Sequence, residues 1–384
     1  MTNDTGDMWA LIEARDHTIQ EMRDEIHALR MAESEREMIR RTLNELQQAQ
    51  TNTFAEVYKL REELFHFRTI GSRLLLRLTS PLDRAVNRYR SIVRPRLGHL
   101  VQHAPRTALS VDHIPVSPRK DAARISIVTP SFGQGHFIER TILSVLDQGY
   151  PNLEYLVQDG GSKDDTEAVL RKYEDRLAGW RSEADSGQSD AINRGFRHTT
   201  GDIMGWLNSD DMLLPGALAS IDRFFARHPD VDVVYGNRLM IDEEDREIGR
   251  WIMPGHDSDV LSWADYIPQE TLFWRRSIWE KVGGQIDESF RFAMDWDLLV
   301  RFRDAGAKFA HIPQFLGAFR IHHQQKTSAE ISELGFQEMN RIRQRIHGYV
   351  PEPMQIRKAV APFLLRHVWV DMKWRVARAT KPSR

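Results

Sequence analysis

Three stretches of this sequence carry acids or amides where the chain should turn: Asp159-Gly160-Gly161-Ser162, Asp185-Ser186-Gly187 and Asn208-Ser209-Asp210-Asp211. Each follows a short strand-like run (LEYLVQ, WRSEA and DIMGWL), so each is expected at the carboxyl end of a strand. Carboxylates converging on one rim suggest a divalent cation with a polyphosphate or ribose. Mg²⁺ and Mn²⁺ take hard oxygen ligands and need only one or two carboxylates when water and phosphate oxygens fill the other positions. Asp210 suits that role. Each cluster alone has a structural reading as well: Ser162 with Asp165 makes a capping box, and Asp210 or Asp211 could cap the helix begun by Pro215. Only their joint placement favours a site.

A fourth candidate lies in RFAMDWDLLVRFRDAG. On a 100° wheel Asp295 falls at the centre of the stripe Leu298, Leu299 and Phe302, whereas Asp297, Arg301 and Asp304 group on the opposite side, so one carboxylate is expected to point inward. Burial raises the pKa of such an acid and the helix N-terminus lowers it, which leaves a usable general base, or else a buried helix cap. His322 and His323 follow the strand-like GAFRI. An imidazole there could complete a metal site or hold a phosphate, and adjacent histidines on a strand face opposite ways. Gly133-Gln134-Gly135 lacks the third glycine of a dinucleotide fingerprint and reads as a tight strand-to-helix turn.

Positioning these residues requires a sheet. From Arg124, short apolar runs alternate with helical patterns: ISIVT, a helix through Ile138, Ile142, Val145 and Leu146 stopped by Gly149 and Pro151, LEYLVQ, a helix over 165–177, WRSEAD, a short helix near Asp190–Arg197, DIMGWL, and a helix with Leu218, Ile221 and Phe225 on one face. Strands separated by helices predict an α/β fold with a mainly parallel sheet, whose ligands sit beyond the carboxyl ends of the strands.

Ahead of this region, residues from about Met8 to Leu78 contain no Pro and repeat apolar residues at heptad spacing, with a phase slip near Glu33–Arg36. That pattern predicts a long α-helical coiled coil over 1–80, whose narrow stripe needs a partner, most simply a second copy. A solvated charged helix packed on its own chain is the other reading. Residues 81–121 form a basic, Pro-containing linker.

Composition excludes several classes. The 384 residues hold 53 Lys plus Arg against 55 Asp plus Glu and no Cys. There is no cationic excess for general nucleic-acid binding, no disulfide scaffold, no thiolate nucleophile and no Cys-ligated metal. No basic, apolar leader and no stretch near 18 uncharged apolar residues occurs, so the expectation is a cytoplasmic protein, with peripheral contact at the inner face of a membrane left open. That question turns on residues 361–384, which carry six Lys or Arg against one Asp, with Trp369 and Trp374. There Leu365, Val368, Trp369, Met372 and Val376 make one stripe and Phe363, Val370, Trp374 and Ala377 another, which suits a helix wedged between protein surfaces as well as one on a membrane.

VTPSFGQGHFIERTILSVLDQGYPNLEYLVQDGGSKDDT, EADSGQSDAINRGF, GDIMGWLNSDDMLLPGAL, PQETLFWRRSIWEKVGG and AMDWDLLVRF, in this order and spacing, resemble family 2 glycosyltransferases of the GT-A fold. The resemblance covers about 122–330. It implies a GT-A domain over 122–335, followed by a helical basic tail over 336–384, and an inverting transferase that moves a sugar from a nucleotide-diphosphate sugar to an acceptor hydroxyl, with Mn²⁺ or Mg²⁺ as cofactor. By the same resemblance Pro130 and Phe132 line the base pocket and Asp159 bonds the base or ribose. Asp185, Asp190 and Asn193 border the nucleotide together with Asn208 and Ser209. Asp210 holds the metal, His322 contacts metal or diphosphate, and Asp295 deprotonates the acceptor. The acceptor it implies is a growing surface glycan, a lipid-linked saccharide or a protein.

Two departures bear on the metal. Asn208 stands where the family often has Asp, and the DDGS signature appears as Gln158-Asp159-Gly160-Gly161-Ser162, so one negative charge is missing near the diphosphate. Hydrolysis needs an acid as well as a base flanking the glycosidic bond, and the sequence singles out only Asp295. The alternative from another class is a coiled-coil scaffold that binds nucleotide-sugar without transferring it.

Overall fold

A computed structural model describes residues 102–106, 117–322 and 334–379, all within the compact unit Tyr89–Arg384. The expected coiled coil over 1–80 and most of the linker over 81–121 lie outside the described residues.

Strand β1 (Gln102–Arg106) precedes β2 (Ile125–Ser131), whose seven residues are all buried because helices cover both sheet faces. Helix α1 (Ile138–Leu146) buries Ile138, Thr141, Ile142 and Val145 on one face and gives way to a turn at Gly149, where φ is 59°. Then come β3 (Leu153–Asp159), α2 (Thr166–Lys172), β4 (Gly179–Ser182), α3 (Gln188–Phe196), β5 (Ile203–Trp206), β6 (Met212–Leu213) and α4 (Ala217–Arg227). The chain continues through β7 (Val233–Ile241), β8 (Glu247–Trp251), α5 (Ser258–Leu261), β9 (Phe273–Arg275), α6 (Arg276–Lys281), α7 (Met294–Asp304), β10 (Phe309–Arg320), α8 (Leu334–His347) and α9 (Pro353–Ala379).

The strands form one sheet in the order β1-β8-β7-β9-β5-β2-β3-β4, with β10 joining β7 and β6. Strands β4, β3, β2 and β5 pair in parallel, as do β7 and β10, but β9 runs antiparallel to both β5 and β7, and β8 antiparallel to β7 and β1. The sheet is therefore mixed rather than mainly parallel. Strand–helix alternation ends after α4; β7 and β8 are joined by the short Asp242–Arg246 turn, and a connection that short permits only an antiparallel partner. Helices α1, α2 and α4 bury Ile142, Leu170, Leu218 and Phe225 on one face. Helices α3, α6, α7, α8 and α9 bury Phe196, Trp279, Phe302, Ile342 and Phe363 on the other. Helix α3 comes so close to β2 that a Cβ at Gly195 would collide with Val128.

Candidate active site

The carboxyl ends of β2 and β5, the loop after β4 and the first turn of α7 open on one cleft of about 720 Å³. Pro130, Phe132, Asp185, Asn208, Ser209, Asp210 and Asp295 all line it. Residues almost 170 positions apart in sequence thus share one cavity because parallel strands end at the same rim.

Other predicted site residues lie behind this wall. Asp159 is fully buried and accepts from Gly161 N (3.1 Å), Ser162 N (2.9 Å), Ser162 Oγ (2.5 Å) and Ser182 Oγ (2.6 Å), which locks the β3 turn to β4. Asp190 accepts from Ser186 N at 2.9 Å and pairs with Arg194. Asn193 accepts from Ile286 N at 2.7 Å and donates to Ile286 O at 3.0 Å, tying α3 to the segment that leads into α7. His322 is buried against Phe137, with Nε2 3.0 Å from Asp210 Oδ2, so it backs the carboxylate rather than lining the cleft.

The expected helix caps are formed differently. Ser162 serves Asp159 and accepts from Gly133 N, while Asp164 accepts from Thr166 N. Neither Asp210 nor Asp211 caps α4, whose preceding residue is Gly216 at φ 80°. Asp211 instead accepts from Arg320 N at 3.0 Å, and burial holds its carboxyl well above the usual range. Arg320, fully buried, also donates from Nε to Asp210 O at 2.8 Å and pairs with Asp245, fixing the acidic turn from below.

Asp295 behaves as the wheel predicts. Its Oδ1 accepts from Trp296 N at 2.8 Å, and desolvation raises its pKa against the lowering pull of those helix-start amides. Asp297 does not behave as expected: it is fully buried and ion-paired with Arg301 (2.8 Å) and Arg345 (2.6 Å), because α8 covers the side that the wheel alone left open. A second acid, Asp265, lines the cleft too; burial raises its pKa well above normal and the charge of Asp295 raises it further. The sequence singled out only one carboxylate here.

Three more groups escaped the sequence reading. Arg238 lines the cleft and holds the buried Glu270 through Nε (2.7 Å) and a second nitrogen (2.5 Å), stacked 4.4 Å from Phe319. Gln269 and Glu270 lie in PQETLFWRR, a motif read for family likeness but not for charge; Arg238 had no motif to announce it. The third is Glu338 of α8, whose carboxylate accepts from Arg291 N, Phe292 N and Ala293 N at 2.8, 2.8 and 2.9 Å and so caps the entry to α7. Glu338→Gln should cost about 3 kcal/mol, since charge-assisted bonds are worth about 1.5–3 kcal/mol each and a buried amide cannot serve three donors. Denaturant unfolding checks this; an unchanged midpoint would show the cap to be idle.

The donor set suits a divalent cation. Asp210 offers an oxygen at the cleft and His322 a nitrogen beside it, and among the described residues no group of three or more such side chains occurs. Asp210 as the one cleft-facing ligand, oriented by His322 behind it, leaves room for phosphate oxygens and water, the usual arrangement when the substrate carries the remaining ligands. Four buried polar atoms of cleft-lining residues, Ser131 Oγ, Gln134 Oε1, Trp206 Nε1 and Gln269 Oε1, find no hydrogen-bond partner among the described residues. Orphaned polar groups on a cavity wall are costly unless a ligand or water meets them.

Comparison with known proteins agrees. The sequence profile described as Glycosyl transferase family 2 matches residues 126–292. An uncharacterized glycosyltransferase of Mycobacterium tuberculosis is 32% identical over 186 residues, covering 47% of this chain and 69% of that protein. Chondroitin synthase of Escherichia coli is 26% identical over 294 residues, 74% of this chain and 41% of that protein. Among solved structures, S. aureus TarS 1-349 in complex with UDP-GlcNAc superposes with a TM-score of 0.50 at 18% identity, covering 64% of this chain and 72% of that one, a likeness of fold. The chain belongs to glycosyl transferase family 2. It is a glycosyltransferase enzyme with the GT-A fold.

Proposed function

We propose that this enzyme inverts the sugar it transfers, with Asp295 as general base and Asp210, backed by His322, as the metal-holding acid. The observation that carries the reading is the single cleft lined by both Asp210 and Asp295. Pro130 and Phe132 flank the base, with Phe132 71% exposed and so available to cover it. Asp185 and Asn208 border the sugar-diphosphate. Asn208 is held by Gln188, which donates to its Oδ1 at 2.8 Å, leaving its amide protons toward Asp211 and the cleft. Asp159, Asp190 and Asn193 act from behind by fixing the turns that carry these groups.

A divalent cation held by Asp210, whose carboxylate His322 orients, would stabilise the charge that builds on the departing nucleoside diphosphate. The acceptor hydroxyl approaches from the α7 side, loses its proton to Asp295 and attacks the anomeric carbon opposite the diphosphate. One attack inverts that centre, and no covalent sugar–enzyme intermediate is needed. Asp265, whose pKa burial and then the charge of Asp295 push up, is disfavoured as a second nucleophile and lines the cleft where it can hydrogen-bond the acceptor. The best-fitting acceptor is a glycan of a surface polysaccharide or glycoconjugate, and the heptads over 1–80 suit self-association.

Thermal unfolding with a panel of UDP-, GDP- and dTDP-sugars, with and without Mn²⁺, tests the donor side. One of them should raise Tm, since a ligand bound only to the folded state stabilises it. Asp210→Ala should abolish the Mn²⁺-dependent part while leaving the unliganded Tm near that of the parent. No stabilisation by any nucleotide-sugar would overturn the reading.

A further inference from the structure

Helix α9 has two apolar faces with different fates. Phe363 and Leu364 are buried in the core, Phe363 packs 4.4 Å from Tyr266, His367 lies edge-on to Trp251 at 6.3 Å, and Trp374 packs on Phe315. Tyr266 and Trp251 line the cleft, so α9 runs behind the wall shared with Asp295. The other face carries Leu365, Trp369 and Met372, which fall within an arc of about 60° on the helix surface. They are 55%, 52% and 41% exposed. Met354, near the start of the same helix, is 58% exposed.

Exposed residues of this size, repeated along one helix face, mark a contact surface, and the charges around them choose the partner. Arg357, Lys358, Arg366, Lys373 and Arg375 are all exposed along α9, Arg366 being paired with Asp257. The one acid in the stretch from residue 361, Asp371, accepts from Arg375 Nε at 2.7 Å. Lys373 lies 3.5 Å over the Trp369 ring, a cation beside an amphipathic aromatic. A Trp-bearing apolar stripe flanked by Lys and Arg is the composition of a helix lying in the plane of an anionic bilayer interface, with its apolar side among the acyl chains and its cations at the headgroups. Among the described residues no helix is long and apolar enough to cross a membrane, which leaves surface attachment as the mode open to α9.

We infer that the Leu365, Trp369 and Met372 face of α9 docks this enzyme on an anionic lipid surface, and that this brings the Asp295 end of the cleft to a membrane-anchored acceptor. The second half rests on the catalytic reading above. Because opposite faces of one helix touch the cleft wall and the lipid, that wall lies about one helix diameter, about 10 Å, from the lipid-facing side of α9. A saccharide on a lipid carrier can bridge that distance with a few sugar units.

Truncation at Pro362 is not the test, because it removes Phe363 and Leu364 from the core. Flotation of the full chain with vesicles of phosphatidylcholine, alone or mixed with phosphatidylglycerol, compares wild type with Leu365→Gln/Trp369→Gln and with Lys358→Gln/Lys373→Gln. Wild type should float with the anionic vesicles, less so as salt rises, and each double variant should float at least about tenfold less. The Tm, and its rise with nucleotide-sugar, should stay unchanged in the variants. Wild type remaining unbound to anionic vesicles, or variants floating as well as wild type, overturns the docking face. So does a change of oligomeric mass in the variants with undiminished flotation, which would make the face a protein interface. Flotation needs no nucleotide, so wild type that floats but is not stabilised by any sugar donor would sink the catalytic reading and leave the docking face standing.

Discussion

Asp295→Asn should lower kcat by about 10³-fold, close to 4 kcal/mol of transition-state stabilisation, with donor affinity little changed. The amide is nearly isosteric, and its oxygen can still accept from Trp296 N, so the first turn of α7 keeps its shape. What it cannot do is take a proton. The pH profile of the parent enzyme should report the same group. Burial raises the folded-state pKa of Asp295, so the active, ionised form is lost as pH falls through a value above the ordinary carboxylate range. The acid limb of kcat/KM should therefore lie higher than for an exposed Asp. Single-turnover transfer at several pH values checks both points, and a variant retaining parental turnover would remove Asp295 from the role of base.

The second large effect is on stability. Arg238 is the cation around which the buried acids of the cleft are arranged. Burial disfavours its charge, but the paired Glu270 more than restores it, and the field of Arg238 in turn lowers the pKa of Asp265 and Asp295. Arg238→Met keeps much of the volume against Phe319 and Trp251 but strands Glu270, which is 1% exposed. Breaking a buried pair from one side costs about 3–5 kcal/mol. The sign of its pH dependence follows from linkage. Asp265 and Asp295 bind protons more tightly folded than unfolded, so stability falls as pH rises from the ordinary carboxylate pKa through their raised values. Removing Arg238 raises those values further, so the variant should lose more stability near neutrality than at mildly acidic pH. Urea unfolding at both pH values tests this; a loss independent of pH would mean that packing, not charge, is what Arg238 supplies.

Much of this site was legible in the sequence because its parts are local. The rule that ligands meet a parallel sheet at its strand ends needs only the order of apolar runs, and it led to Asp185, Asn208 and Asp210. The inward turn of Asp295 follows from helical geometry alone. The wheel failed at Asp297 because it knows one helix and not its neighbours; Arg345 and α8 enclose a side that periodicity assigns to the outside. The mainly parallel sheet failed for a similar reason. Pairing direction after β5 depends on which strand lies alongside: β8 returns on β7 as a hairpin, and β9 inserts between β5 and β7 antiparallel to both.

Residue types and spacing by themselves determined the α/β class, the acidic strand ends, the inward Asp295 and the absence of cysteine chemistry, since each follows from neighbours in the chain. Only the tertiary structure decided that Asp159, Asp190 and Asn193 brace the walls instead of lining them, that Arg238 balances the buried acids, and that Glu338 caps α7. The Ser182–Asp159, Asn193–Ile286, Arg238–Glu270 and Glu338–α7 contacts join groups tens of residues apart, and even the local bonds of Asp190 take their strength from excluding water, which happens only once the elements have packed.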